Sequence, residues 1–363
     1  MIKPLFHLTL ITLLSVTLAA CSSNDATLKS QPSVDPETKA LLEENATEHD
    51  QSFVRMIEGL VPLGAVPIPE DNPMTAEVLE LGQILFFDPR LSGNNEVSCA
   101  TCHDPELGYG DDRATFETIS GEDGARNSQT IINSAYYTSF FWDGRAASLE
   151  EQALGPIQDP HEMNQPLDEL IVKLKQIEGY EQLFLAAFED GITEENIGKA
   201  LAAFQRQIVV NDTRYDQFLQ GDKEALTSQE ILGLDLFAGK AFCSTCHNGE
   251  NLSDNEFYNI GINSDDEGRY AVTGDEGDLG RFRTPSLYGI THTAPYMHNG
   301  SIDTLEEVIE FYNRGGDGHP NTSIFMNMFM RDINLTDEEK ADLLAFLKVL
   351  GGDPPIFTKP TLP

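Results

Sequence analysis

Cys99-Ala100-Thr101-Cys102-His103 decides how this chain is read, because the same pattern returns as Cys243-Ser244-Thr245-Cys246-His247. Cys-x-x-Cys-His is the attachment signal of a c-type haem. Two intervening residues let both sulfurs reach one porphyrin edge as thioethers, and the adjacent histidine lies under the iron as its ligand. The rival is a four-cysteine zinc site built from two Cys-x-x-Cys knuckles. A histidine follows the second cysteine both times, and the N-terminus carries an export signal; both favour haem. The expectation is two covalently attached c-type haems.

Working outward, the chain has 363 residues, of which 40% are hydrophobic, enough for two compact domains. Of five cysteines, four belong to the two motifs and the fifth is Cys21, so no pair remains for a structural disulfide. Lys3 gives the N-terminus a positive start, and Leu5 to Leu18 is an apolar run too short for a comfortable membrane span. It ends in Leu18-Ala19-Ala20-Cys21, the pattern of a bacterial lipoprotein signal, against the alternative of an ordinary cleaved signal with an accidental cysteine. Residues 1–20 are then signal peptide, and Cys21 becomes the lipidated N-terminus. Ser22 and Ser23 favour the outer membrane. The implied location is the periplasm, with membrane contact through the lipid alone. A formal charge of −37 and a pI near 4.3 argue against nucleic acid as a partner, since phosphates would be repelled. That charge suits steering of a basic redox partner, and equally a solvated acidic surface from a salty habitat.

Residues 21–52 are polar and read as a flexible tether, with folded sequence from Phe53. The stretch from Thr75 to Phe86 has helical spacing behind a Thr75 N-cap. Helices are also expected over Ser148–Leu154, Leu167–Leu174, Tyr180–Phe188, Glu194–Val209, Leu305–Tyr312 and Asp337–Leu350. Strand-like alternation is scarce. Thr227-Ser228-Gln229-Glu230 resembles a capping box before Ile231–Phe237. Leu81-Gly82-Gln83-Ile84-Leu85-Phe86 ahead of the first motif is echoed by Leu232-Gly233-Leu234-Asp235-Leu236-Phe237 ahead of the second, as in a divergent duplication. The fold class is mainly α: two cytochrome-c-like domains, residues 53–222 and 223–363, each wrapping one haem.

Between the motifs lie Asn127-Ser-Gln-Thr, Phe141-Trp-Asp-Gly-Arg145, Leu149-Glu-Glu-Gln152, Gly155-Pro156 and Glu162-Met-Asn164. Beyond them come Phe282-Arg-Thr-Pro-Ser-Leu287 and Thr293-Ala-Pro-Tyr-Met-His-Asn-Gly300. Together these resemble the bacterial dihaem cytochrome c peroxidase and MauG superfamily, in order and spacing, from about residue 75 to 350. The resemblance implies that His103 holds the iron of the catalytic haem and His247 that of an electron-relay haem. Glu162 matches the distal acid, which moves a proton from the inner to the outer peroxide oxygen. Gln152 resembles a second distal-pocket residue, and Pro156 shapes that pocket. Trp142 is the chain's single tryptophan and matches the residue placed between the haems. Asn127, Thr293 and Pro295 match a calcium position. Arg281 and Arg283 are candidates for pairing with haem propionates, or for a surface role.

Two departures from the family pattern carry weight. Typical members have a loop histidine that blocks the catalytic haem until the other haem is reduced, but no histidine or methionine occurs from Asp104 to Pro160. Typical members also use methionine as sixth ligand of the relay haem, whereas the matching position here is Tyr312, as in MauG. Phenolate is a hard anionic donor that lowers the potential. Met297, Met326, Met328 and Met330 are rival ligands. A third comparison restrains the MauG reading: the surface tryptophan that MauG uses toward its protein substrate is Ala241 here, so an exit would need tyrosines such as Tyr258.

The resemblance therefore implies a lipid-anchored periplasmic peroxidase that reduces hydrogen peroxide with electrons from a small redox protein, without prior reductive activation. One alternative is MauG-like oxidation of side chains on a partner protein. The other is a non-enzymatic dihaem electron carrier, which requires both irons to be six-coordinate.

Overall fold

The structure, a computed structural model, describes residues 34–45, 59–318, 322–324 and 333–363. The signal sequence, Cys21, Met326, Met328 and Met330 lie outside them.

The first half is built on α2 (Ala76–Phe87) packed across α7 (Glu194–Gln205), with α4 (Leu149–Gln158) against α7 as well. The Thr75 hydroxyl accepts from the Val78 amide and starts α2; Pro89, which cannot continue a helix, lies just beyond its end. Val78, Leu81, Ile84 and Leu85 recur at helical spacing and are buried, turning one stripe into the core. The short α3 (Cys99–Cys102) carries the first motif, and α5 (Leu167–Lys175), α6 (Tyr180–Ala187) and α8 (Arg214–Leu219) close this half. The second half repeats the theme with α9 (Ser228–Ala238) across α12 (Asp337–Val349), and α11 (Leu305–Asn313) beside α12. Thr227 and Glu230 form the expected capping box, each side chain bonding the other's backbone N–H.

The duplication seen in the sequence has a steric basis. Gly82 is where α2 crosses α7; a Cβ there would overlap the Ala200 carbonyl. Gly233 occupies the same place in α9, where a Cβ would overlap the Asp342 carbonyl of α12. Each copy needs glycine because two helix backbones meet at that residue.

Among the described residues the only sheet is a two-stranded ribbon. In it β1 (Phe257–Tyr258) pairs antiparallel with β2 (Phe282–Arg283), Phe257 opposite Arg283 and Tyr258 opposite Phe282. The short α10 (Tyr270–Thr273) lies between them in sequence, and the Arg269 guanidinium covers the Phe257 ring at 3.8 Å. No helix among the described residues is long and apolar enough to cross a membrane.

Three segments depart from expectation. Within the stretch read as a tether, Pro36–Asn45 forms helix α1, anchored where the Asp35 amide donates to Leu219 O (2.9 Å) and the Thr38 hydroxyl to Phe218 O (3.1 Å). Helix α7 stops at Gln205 rather than Val209. The following residues exchange bonds with Asn133 instead: its amide donates to Ile208 O and its side-chain oxygen accepts from the Val210 amide. Residues 355–363, assigned by sequence to the second domain, return to the first. Phe357 packs edge-on against Phe204 (5.0 Å), Arg90 donates to Pro363 O (2.9 Å) and Tyr109 Oη donates to Pro355 O (2.6 Å). Apolar Phe357 and Leu362 find their cover on that core.

Candidate active site

Each motif histidine is fixed through one ring nitrogen. His103 Nδ1 lies 3.1 Å from Tyr109 O, and His247 Nδ1 lies 3.1 Å from Leu252 O. A carbonyl oxygen only accepts, so Nδ1 carries the proton in both rings and Nε2 keeps its lone pair for a metal. Burial lowers the pKa of both imidazoles, which keeps them neutral, the form that ligates.

Cys102, His103, Gln152, Pro156 and Glu162 line two adjoining cavities of about 850 and 560 Å3 in the first half, mouths included. Cys243, Cys246, His247 and Tyr312 line another, of about 1550 Å3, in the second. Trp142 borders both sides, as do Asn127, Gln129 and Arg283. The tryptophan is held at both ends: its Nε1 donates to Asn127 O (3.0 Å), and its carbonyl accepts from the Arg283 amide (2.8 Å).

The donor set fits c-type haem and not zinc. The two Cys-x-x-Cys pairs lie in separate cavities, so they cannot share one ion. Burial pushes all four thiols up to about 12, so each stands here as neutral sulfur. A thioether carries no charge and sits in such a place without penalty. Three buried side-chain nitrogens facing these cavities, the donors Gln129 Nε2 and Arg283 Nε together with His298 Nε2, have no hydrogen-bond partner in the protein. Buried donors call for acceptors, and haem propionates are acceptors of the right kind. Arg283, 2% exposed and lying over the Tyr137 ring at 3.5 Å, fits the expected propionate partner. Arg281 does not: it lines none of these cavities and pairs with Asp278 at 3.5 Å outside the strand.

Glu162 is the titratable group that stands out in the first cavity. Its carboxyl is pushed up to about 7, first by burial and then by Asp159, with Arg145 opposing. Apart from His103, no histidine lines the cavity among the described residues, and the one methionine there is Met163. His161, one residue before Glu162, is exposed, with its backbone N–H bonded to Asp159 Oδ1 (2.8 Å).

In the second cavity both Tyr312 and Met297 reach the wall, so the structure brings two of the rival ligands together. Burial first, then the Cys246 and Cys243 sulfurs, raise the Tyr312 phenol well above its ordinary value. Left alone it is a neutral phenol, and a directly bound cation is what would draw the proton off. Asn127, Thr293 and Pro295 also border this cavity; the Asn127 amide nitrogen donates to Arg113 O (2.9 Å), which leaves its oxygen for another partner. Sequence reasoning missed Tyr109, Leu252, Gln129 and His298. The first two act through backbone carbonyls, which leave no side-chain signature.

Over residues 76–224 the chain matches the family of di-haem cytochrome c peroxidases, and over residues 281–315 a cytochrome-c-like family of the RoxA type. It is 39% identical to the methylamine utilization protein MauG of Methylorubrum extorquens, covering 82% of this chain and 85% of that one. The chain belongs to the di-haem cytochrome c peroxidase family. It is therefore a mainly helical oxidoreductase with two cytochrome-c-like domains and two c-type haems. The cytochrome-c peroxidase IdrP1 of Denitromonas iodatirespirans is 38% identical, covering 84% of this chain and 89% of that one. Among solved structures, a MauG-like protein associated with microbial copper homeostasis superposes with a TM-score of 0.73 at 36% identity, covering 79% and 93% of the two chains.

Proposed function

We propose that this protein reduces hydrogen peroxide to water in the His103 cavity with electrons from an external donor, and that it needs no prior reduction of the second haem. The supporting observation is Glu162, whose carboxyl is pushed up to about 7, beside His103 and Gln152 in a cavity lined by no second histidine among the described residues. His103 Nε2 would hold the iron of the first haem, which when bound would supply the redox chemistry for O–O cleavage. Ionised Glu162 takes the proton from the inner peroxide oxygen and returns it to the outer one, so the leaving group departs as water. Gln152 orients the peroxide by hydrogen bonding, and Pro156 fills the wall beside it. Trp142 couples this cavity to the second, where Tyr312 in its phenolate form is the proposed partner of His247. The test is one equivalent of hydrogen peroxide added to the diferric holoprotein. Prompt loss of the high-spin ferric bands is expected. No change until a haem is reduced would refute the open site, and no reaction in either state would leave an electron carrier.

MauG-like oxidation of a partner protein is the second reading, favoured by the tyrosine at position 312. Against it, Ala241 is 2% exposed and offers no surface aromatic group. We also propose a calcium ion at Asn127, Thr293 and Pro295, checked by metal analysis before and after chelation. Periplasmic anchoring through Cys21 predicts release of the protein from membranes on Cys21→Ser.

A further inference from the structure

Building on the peroxidase reading, we propose that Tyr258, with Asp254 as its proton acceptor, is the redox-active residue through which electrons from an external donor enter the second haem cavity. Among the described residues three tyrosines line that cavity: Tyr258, Tyr296 and Tyr312. Tyr296 donates to a backbone carbonyl, Ile290 O, which takes no proton. Tyr312 is the proposed iron partner. Tyr258 alone of the three donates to a carboxylate, Asp254 Oδ2, at 2.8 Å.

The geometry ties this pair to the haem attachment point. The Asp254 amide donates to Cys246 O (2.9 Å), and Tyr258 lines the same cavity as Cys246, whose sulfur would carry the thioether. One face of Tyr258 therefore borders the cavity while the residue, like Asp254, is only half-buried. Its position is fixed by the β1–β2 ribbon, in which it pairs with Phe282 next to the Arg283 that holds Trp142.

The step balances. Reducing peroxide to two waters draws two electrons and two protons. The two protons come from solvent, and the two electrons pass one at a time through the Tyr258 phenol, whose O–H proton moves to Asp254 as each electron leaves, giving a neutral tyrosyl radical and a carboxylic acid. A one-electron donor then reduces the radical, which recovers its proton from Asp254.

The test mixes the full-length holoprotein with one equivalent of hydrogen peroxide, without reductant, and follows freeze-quench EPR together with the haem spectrum. An organic radical is expected that narrows on ring-deuteriation of tyrosine and that a nitroso trap fixes on the peptide containing Tyr258. Tyr258→Phe should abolish it with the haem bands of the resting protein unchanged. Asp254→Asn, which accepts a hydrogen bond but no proton, should slow its formation about a hundredfold and enlarge the solvent isotope effect. Peroxide consumed with the same radical yield in Tyr258→Phe, or a trap adduct on another tyrosine, would overturn this assignment and leave the peroxidase reading standing. If peroxide is not consumed by the native protein, both fall together.

Discussion

Replacing Glu162 by glutamine should separate stability from activity in opposite directions. The carboxyl stands at about 7 in the folded chain against an ordinary 4.5. A raised carboxyl pKa means that the folded state binds the proton more tightly than the unfolded one. The cost to folding is absent below the lower value, grows as pH rises between the two and is complete above the higher. That difference corresponds to about 3 kcal/mol at full development. Glu162→Gln keeps the shape and removes the buried charge, so at about pH 8 it should raise the unfolding midpoint, with no gain at about pH 4. Activity should move the other way. The base form of Glu162 is half populated near pH 7 and falls tenfold for each pH unit below, so the bimolecular rate with peroxide should decline on the acid side with that midpoint. In Glu162→Gln the rate should fall at least about a hundredfold and lose that inflection. Stopped-flow absorbance and thermal unfolding across the same buffers check both halves. A variant within a few-fold of the native rate, or a stability gain that does not depend on pH, would refute the role given to this carboxyl.

Tyr312→Met should raise the potential of the second haem, seen by potentiometric titration, while the diferric protein still reacts with peroxide at the open His103 cavity. Gly82→Ala and Gly233→Ala should each destabilise by about 1–3 kcal/mol in denaturant titrations despite better helix propensity, because each added methyl meets a carbonyl of the crossing helix. Arg126→Met should cost about 3–5 kcal/mol, since Asp143 and Asp266 would lose the guanidinium that pairs with both at 2.6 and 2.7 Å. Suppression of that loss by adding Asp266→Asn would show that the uncompensated carboxylate is the cause, since Asp143 keeps Arg145 at 3.0 Å.

Much of this was legible in the sequence for identifiable reasons. The haem motifs are contiguous, so their spacing alone forces both sulfurs and a histidine to one place. The helices with a Ser or Thr cap and an acid three residues on start where the pattern says. The convergence of Glu162, Gln152 and Pro156 on one cavity followed from the resemblance, because three short motifs in order fix a fold that no single one does. What escaped notice acts through the backbone or at long range. The Asn133 bonds that end α7 come from a residue far away in the chain, and the carbonyls of Tyr109 and Leu252 are invisible to any residue pattern. Residues 355–363 group with the second domain by their place in the chain; only the folded core shows that Phe357 packs against Phe204.

Tyr109 holds the ring of His103 with its carbonyl and the Pro355 carbonyl with its hydroxyl, across a separation of 246 residues. The ligand of the first haem is thus propped by a strap that is made long after the ligand itself. Long-range closures of this kind are slow, because the intervening chain must be ordered before the contact repays its entropy. A chain stopped after its first half would expose Phe204 and leave Tyr109 without its outer support. The two halves, though copies in outline, are therefore unsuited to separate lives: gene fission between them would strand the wall of one on the polypeptide of the other.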